Sequence, residues 1–254
     1  MKRIASLSVI IMALAGAPAL AHEDSASAAL RASTVLDLGD LKKNPGKYAW
    51  TDFRPNLKKL ILSGAADTEH ISILWYTIAK GSVGSHYHAK TESVYAIDGT
   101  QSDAKGVYPS GSLYFNPPGS GHAISDSTGF FLLAYASPPD FGKTALIKEY
   151  TPVQVDTRSP DFEASHPFRE AAPGVKLFTL PLDPAGGMRS EFIRVDANAY
   201  QYTGNYLLVV KGSCVIEGTA LGADALVVAK TVARQTYKLA AAPGAVCLAL
   251  GVSF

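Results

Sequence analysis

The chain has no excess of charge of either sign. Its 254 residues include 23 Lys and Arg against 22 Asp and Glu, which leaves a formal net charge of +1, and it contains no basic run. A protein that holds nucleic acid or an anionic membrane through charge needs a basic patch or stripe. The composition therefore predicts that neither nucleic acid nor a membrane surface is a partner.

Long hydrophobic runs are also missing, with one exception at the N-terminus. Lys2 and Arg3 precede an apolar run over residues 4–17, and an Ala-Leu-Ala cleavage site ends at residue 21. This is the pattern of a secretory signal peptide, and the run is too short for a good membrane span. No cysteine stands at the cleavage point, so no lipid anchor is expected. The mature chain would start near His22 and is predicted to be periplasmic or secreted.

Cysteine is scarce, since Cys214 and Cys247 are the only two. An exported protein permits a disulfide between them. The alternative is a pair of separate, small, buried hydrophobic side chains. The distance between the two residues decides the matter and is not a property of the sequence, so both interpretations stay open.

The chain is rich in short segments of β-branched and aromatic residues, separated by Gly, Pro, Asn and Asp. Five lie at residues 60–62, 71–78, 93–97, 113–115 and 130–135, with turns between them at 79–84, 98–99, 109–111 and 116–121. Six more lie at 175–180, 190–195, 206–210, 215–216, 225–229 and 244–252. This pattern predicts an all-β barrel or sandwich. A short helix is predicted within residues 33–43.

The strand pattern is interrupted once and then repeats. Residues 137–174 are irregular and rich in proline, which cannot pair inside a sheet, so this stretch is interpreted as a linker or an exchanged arm. Residues 91–99 align with 204–212, and each segment runs from a strand into a glycine turn, which favours two similar domains. The predicted organisation is a signal peptide (1–21), an arm (22–56), a barrel (57–140), a linker or arm (141–174) and a second barrel (175–254).

Half of the six histidines lie in two short blocks. His86 and His88 are followed by Glu92, and His122 comes after a glycine-rich turn. Imidazole nitrogen and carboxylate oxygen are ligands that divalent transition metals prefer. Side chains alternate along a strand, so His86 and His88 point the same way, and Glu92 joins them if the strand continues in register. His122 must reach the same point from another strand, whereas His70 and His166 are interpreted as ordinary core or surface residues.

These blocks resemble the two sequence motifs of the cupin superfamily. The residues that match the first motif are Gly81, His86, His88, Glu92 and Gly99, with one residue fewer than usual between Gly81 and His86. The residues that match the second motif are Gly111, Pro117, Gly119 and His122, with Asp126 where the family has asparagine. The match covers roughly residues 57–136. Two motifs in the right order and at nearly the right spacing make the resemblance specific.

The resemblance implies an antiparallel jelly-roll barrel in which His86, His88, Glu92 and His122 hold one divalent metal ion, Fe, Mn or Zn. The second half resembles a degenerate cupin barrel, so the whole would be a bicupin. Ala199, Gln201 and Asn205 stand at its ligand positions, and Gln235 or Tyr237 stands near that of the last histidine.

An open position on such a metal indicates catalysis rather than a structural role. The resemblance thus implies metal-assisted chemistry on a small oxygenated molecule, of oxygenase, decarboxylase or isomerase type, with an oxygenase favoured. The alternatives are a non-catalytic binding or sensing module, and a barrel whose histidines work without metal. One member of each aromatic pair, Trp75–Tyr76 and Tyr114–Phe115, would wall a pocket or fill the core. The sequence leaves open the native metal, the substrate and whether the protein forms a homo-oligomer.

Overall fold

The computed structural model describes residues 27–142 and 149–254, which form two antiparallel sheets with few helices. The predicted signal peptide and His22 lie outside the described residues. No helix within those two ranges is long and apolar enough to cross a membrane.

The first sheet lies in the N-terminal half and has eight strands. They are β2 (Thr51–Arg54), β3 (Leu57–Gly64), β4 (His70–Tyr87), β5 (Glu92–Asp103), β6 (Gly106–Pro109), β7 (Ser112–Asn116), β8 (Gly121–Tyr135) and β9 (Val153–Asp156). The order along the main path is β2-β3-β4-β8-β5-β7-β9, and β6 pairs with β5.

The second sheet has ten strands, of which nine lie in the C-terminal half. The strands are β1 (Ser33–Asp37), β10 (Arg169–Ala172), β11 (Val175–Thr179), β12 (Arg189–Val195), β13 (Tyr200–Gly204), β14 (Tyr206–Ile216), β15 (Thr219–Gly222), β16 (Ala225–Ala229), β17 (Gln235–Ala241) and β18 (Cys247–Ser253). The main path is β1-β16-β14-β18-β12-β11-β10. The helices are α1 (Ala28–Arg31), α2 (Leu38–Lys43) and α3 (Phe162–Ser165), with 3-10 turns at Pro45–Lys47 and Pro184–Gly186.

Each half is a barrel, and the two barrels share a core. On β5, Val94 and Ala96 point into the first barrel, whereas Tyr95 and Ile97 pack in a cluster that includes Phe192 of β12 and residues of both sheets. A strand that is buried on both faces carries apolar residues on both, so its sequence is a continuous apolar run and does not alternate between apolar and polar residues. The prediction of two antiparallel jelly-roll barrels in an all-β chain is confirmed.

Each half lends a strand to the other. Strand β1, from the predicted arm, pairs with β16 in the second sheet, with Val35 opposite Val227. Strand β9, from the predicted linker, pairs with β7 in the first sheet, with Val155 opposite Leu113. The limits of the five predicted segments stay a prediction. Because β1 comes before the first barrel in the chain and β9 comes after it, the exchanged strands connect the two barrels on both sides of that segment.

One local expectation was confirmed in part and two were wrong. The short helix predicted within residues 33–43 is present from Leu38 to Lys43, whereas the first five residues form a strand that pairs with β16. The turn predicted at 79–84 lies inside β4, where the register shifts and Lys80 takes a φ of 60°. The turn at 98–99 lies inside β5, where a register shift follows Ala96.

The two cysteines are paired in a disulfide that links neighbouring strands. Cys214 lies on β14 and Cys247 on β18, with Cα atoms 4.8 Å apart. Of the two interpretations that the sequence left open, the structure shows the disulfide.

Candidate metal centre

The structure brings His86, His88, Glu92 and His122 together inside the first barrel. One ligand atom from each residue lies within 4.8 Å of the others, and all four side chains are buried. His86 and His122 lie opposite each other on the paired strands β4 and β8. Strand pairing therefore places residues 36 positions apart at one point.

His88 and Glu92 reach this point by a different route from the one expected. Strand β4 ends at Tyr87, the chain bends at residues 89–90, and Glu92 opens β5. Backbone bonds hold His88 beyond the strand end: its N–H donates to Ser120 O at 2.8 Å, and Gly119 N–H donates to its carbonyl at 2.8 Å. The expectation that Glu92 continues the strand of His86 was wrong, and the reversal of the chain brings its carboxylate back to the histidines.

The separations of the ligand atoms suit a single ion. His88 Nε2 lies 3.3 Å from both Glu92 Oε2 and His122 Nε2, and His122 Nε2 lies 3.5 Å from the same carboxylate oxygen. Ligands at about 2.0–2.2 Å around one transition-metal ion stand roughly 3.0–3.5 Å from each other. Two imidazole nitrogens that face each other at van der Waals distance need a cation or a proton between them. The residues present therefore fit one divalent metal ion.

Outer hydrogen bonds turn the correct nitrogens inward. His86 Nδ1 donates to Gly84 O at 2.9 Å, because a carbonyl oxygen can only accept. His122 Nδ1 donates to Asp103 Oδ2 at 2.8 Å. Asn116 Nδ2 donates to Glu92 Oε2 at 2.7 Å. A proton fixed on Nδ1 leaves the Nε2 lone pair free for a metal, and such outer partners orient the ligands.

The electrostatics of the group favour a bound cation. Burial lowers the pKa of His86 and lowers that of His88 to about 4, so both rings are neutral near pH 7. Burial raises the pKa of Glu92, but His88 and His122 outweigh it and hold that pKa below its usual range. Burial also lowers the pKa of His122, but hydrogen bonds to Asp103 and Glu92 outweigh it and raise the pKa to about 9.

A small cavity opens on the group. Its volume is about 20 Å³, enough for one water-sized molecule. Aromatic and aliphatic side chains form most of its wall, with Gln101 as a polar member outside the four. The aromatic and aliphatic lining residues are Phe53, Leu74, Tyr76, Val83, Ile124, Leu133, Tyr135, Pro139 and Phe141. A bound ion would therefore face a dry, narrow space.

The aromatic pairs divide as alternation requires. Tyr76 and Tyr114 point into the first barrel, whereas Phe115 packs in the core between the barrels and Trp75 against it. Only Tyr76 of these four lines the cavity. The others are ordinary packing residues, and Tyr114 stacks on Tyr108 at 3.9 Å.

The two histidines interpreted as ordinary lie outside the group. His166 Nδ1 donates to Phe162 O at 2.6 Å in the C-terminal half. His70 is fully buried, with its Nδ1 donating to Thr68 O at 2.8 Å and its Nε2 lying 3.4 Å from Lys59 Nζ. The buried Lys59 is a second charged group near the centre, and burial lowers its pKa to about 8.

Sequence reasoning missed Asp103 and Asn116. Alternation from Glu92 puts residue 103 on the opposite face, but register shifts along β5 turn its carboxylate toward His122. Asn116 lies directly opposite Glu92 on β7. The register between β5 and β7 would have found Asn116, whereas no signal in the sequence marks the shifts that place Asp103.

The second barrel has no equivalent group. Within the part of the chain that the structure describes, the four residues of the first barrel are the one cluster of three or more potential metal ligands. Gln201 is exposed, and the side chain of Asn205 is engaged with Val232 O at 2.6 Å and Phe254 N at 2.8 Å.

Comparison with known protein families gives a match over the first barrel. Residues 39–138 match the model of the ChrR cupin-like domain family. No curated protein sequence matches the chain.

Solved structures of similar fold cover both barrels. A candidate dioxygenase from Nostoc punctiforme superposes with a TM-score of 0.58 and 12% identity over 87% of this chain and 82% of its own. Salicylate 1,2-dioxygenase from Pseudoaminobacter salicylatoxidans, crystallised with gentisate, has a TM-score of 0.54 and 15% identity over 86% of this chain and 81% of its own. At these identities the likeness shows the two-barrel fold alone.

Proposed function

We propose that this protein is an exported metal-dependent cupin enzyme that acts on a small oxygenated molecule with dioxygenase-like chemistry. The observation that carries the proposal is the buried group of three imidazoles and one carboxylate, whose metal-facing nitrogens are fixed by His86–Gly84 and His122–Asp103 hydrogen bonds. A metal ion held there supplies Lewis acidity and, for redox-active metals, dioxygen chemistry.

The residues of the chain define what can approach. Four protein ligands leave positions open on an octahedral ion, and the cavity beside them is small and mostly apolar. The apolar wall strengthens the interaction of the site with any charged or polar group that enters, because it excludes water. Besides the candidate ligands, the polar groups of the wall are Gln101 and the hydroxyls of Tyr76 and Tyr135, which are placed to orient a substrate.

The similarity to salicylate 1,2-dioxygenase supports a small aromatic or aliphatic acid as the substrate class, on the strength of fold alone. A cavity of about 20 Å³ admits a molecule the size of water or dioxygen. A ring substrate requires side chains such as Phe141 to shift.

Metal reconstitution tests the proposal. Metal-free protein is loaded in turn with Fe(II), Mn(II) and Zn(II), and oxygen consumption is measured with gentisate, salicylate and oxalate. We expect turnover in wild type and in His166→Ala, a control histidine outside the centre, and no turnover in His88→Ala. Tight metal binding with no turnover of any compound would contradict the enzyme proposal.

A non-catalytic binding or sensing module is the alternative. One observation favours it: the cavity wall contains no carboxylate or imidazole beyond the four candidate ligands. A sensor would bind metal with the same four residues and change stability, not turnover, when a small molecule enters. Thermal unfolding of the metal-loaded protein with and without each compound separates the two classes.

Export is part of the proposal. Its support is the pattern of Lys2, Arg3 and the apolar run that follows, together with the disulfide between Cys214 and Cys247, a bond that persists in oxidising compartments. Mass spectrometry of protein recovered from the periplasm or medium should show a chain that begins at His22. An uncleaved chain in the cytoplasm would contradict export.

A further inference from the structure

The second barrel contains a cavity that the metal centre does not use. Its volume is about 570 Å³, within the range of small-molecule sites. Its wall comes from β11, β12, β13, the end of β18 and the loop that follows β11. It is far larger than the space beside the four candidate ligands.

The strands beside the cavity can be matched to strands of the first barrel. The first sheet runs β3-β4-β8-β5-β7 and the second β11-β12-β18-β14-β16, so β12 corresponds to β4 and β18 to β8. Glu191 of β12 is paired with Gly251 of β18 and lies on the same face as Ile193 and Val195, which fill the second barrel. In this match His86 and His122 lie in the second half of β4 and the first half of β8, whereas Glu191 and Gly251 match the other halves of those strands, so Glu191 does not occupy the place of a metal ligand.

Two glycines make room for a tyrosine in this cavity. A Cβ atom at Gly204 or at Gly251 would collide with the ring of Tyr202. Neither glycine has a positive φ, so space rather than backbone conformation requires them. The Tyr202 ring is 4% exposed, and its hydroxyl is buried without a hydrogen-bond partner. A buried hydroxyl without a partner is rare and needs an explanation.

Glu191 is a second buried group that lacks a hydrogen bond. Its side chain is 8% exposed, and its Oε2 atom accepts no hydrogen bond. Oε2 forms an ion pair with the guanidinium of Arg189 at 3.8 Å, beyond hydrogen-bond reach. Burial raises the pKa of this carboxyl group, and Arg189 offsets part of that effect. A buried carboxylate oxygen without a hydrogen bond is costly, and a donor from a ligand would reduce the cost.

The rest of the wall gives the cavity its polarity. Arg189 and Arg234 are exposed at its rim, and both guanidiniums are suited to bind a carboxylate. Leu180, Leu182 and Met188 provide an apolar surface between them and the interior.

We propose that this cavity is a second ligand site, separate from the metal centre, for a small organic acid that carries a hydroxyl group. Arg189 and Arg234 hold the carboxylate at the rim. The hydroxyl group donates a hydrogen bond to Glu191 Oε2 and accepts one from Tyr202. The apolar side chains contact the carbon skeleton between the two polar ends.

The test uses two probes that differ in one hydroxyl group, 4-hydroxyphenylacetate and phenylacetate. Binding is measured by calorimetry and ligand-observed NMR on the full chain with the His88→Ala substitution, so that the acid cannot ligate a metal ion. We expect saturable binding of 4-hydroxyphenylacetate that is at least about tenfold tighter than binding of phenylacetate, since a hydrogen bond to a charged group is lost.

Variants locate the site. Glu191→Gln should weaken the binding of 4-hydroxyphenylacetate by about tenfold and leave the binding of phenylacetate unchanged, because only the hydroxylated probe donates a hydrogen bond to the carboxylate. Arg234→Ala should weaken the binding of both probes, because both carry the carboxylate. Since Arg234 is exposed, this variant still tests the proposal if the buried Glu191→Gln substitution impairs folding. Glu170→Gln, an exposed glutamate on β10, is the matched control. Equal affinity for the two probes, no binding of either, or unchanged binding in Glu191→Gln and Arg234→Ala would overturn the proposal.

Discussion

Replacement of Asp103 by asparagine tests how the metal centre is assembled. Asp103 Oδ2 accepts the hydrogen bond of His122 Nδ1 at 2.8 Å, while its Oδ1 accepts from the backbone N–H groups of Lys105 and Gly106 at 2.7 and 3.0 Å. The turn holds Oδ1, so an asparagine must place its Nδ2 against the histidine. That NH₂ group donates, and it therefore selects the tautomer with a bare Nδ1 and a protonated Nε2.

The wrong tautomer opposes metal binding directly. With Nε2 protonated, His122 cannot offer its lone pair unless it gives up the hydrogen bond to residue 103. Loss of an outer partner of this kind costs about 10–100-fold in metal affinity, or about 1.4–2.7 kcal/mol. We expect Asp103→Asn to fall at the upper end of that range, because it reverses the hydrogen bond rather than deleting it.

The assay is a competition with a chelator of known affinity, read by metal content after equilibration. Asp98→Asn is the matched control, since Asp98 lies on the same strand and is exposed. Circular dichroism verifies that both variants are folded. If Asp103→Asn binds metal within threefold of wild type, on the order of 0.7 kcal/mol, the proposed role of Asp103 is refuted.

Three further outcomes are expected. Metal occupancy should fall as pH drops, because a proton competes with the metal for His122 below about pH 9, the pKa to which Asp103 and Glu92 raise this ring. His88→Ala should lose most metal but keep its circular dichroism spectrum, and full occupancy in this variant would place the site elsewhere. Lys59→Met should raise the free energy of unfolding by about 1–3 kcal/mol at pH 7, because burial lowers the pKa of this lysine to about 8 in the folded protein. Calorimetric scans should show that this gain fades as pH rises through 8 toward 10.5, where the lysine is neutral in both states. Lys58→Met, at a neighbouring lysine on the outside of the strand, is the control and should change stability little. The Cys214–Cys247 disulfide joins residues 33 positions apart in the chain. Its reduction should lower the free energy of unfolding by about 2–4 kcal/mol in denaturant titrations, and an unchanged midpoint would contradict this estimate.

The ligand group could be predicted from the sequence because its spacing follows from strand pairing. His86 and His122 are opposite each other on neighbouring strands, and His88 and Glu92 flank one tight bend. The second relation is local to one bend, and the first follows from the pairing of β4 with β8 across the three strands between them in the chain. The segment 93–97 could likewise be predicted as a strand, and the structure explains its continuous apolar run, because both faces of the strand are covered.

Two features that could not be predicted from the sequence, strand β1 and the orientation of Asp103, depend on pairing between distant segments and on shifts in strand register. Strand β1 forms only because Val35 meets Val227, a partner far along the chain, and no local preference marks it as a strand rather than a helix. Asp103 faces the centre because β5 shifts register on the way. A shift of one residue exchanges the two faces of a strand, so alternation counted from Glu92 gives the wrong face for Asp103.

The same alternation of faces distinguishes the interiors of the two barrels. Alignment of the halves puts Gln201 at the place of His88, but in the structure Gln201 is exposed and its neighbour Tyr202 points inward. Both barrels nevertheless keep buried ionisable groups that a purely structural core would lack: Lys59 beside the first centre and Glu191 in the second cavity. Such groups cost stability, and proteins depart from a fully apolar interior chiefly where a ligand is bound. Tyr202 and Glu191 are such groups in the second cavity, and for this reason we propose a ligand site there rather than a barrel that only packs against the first.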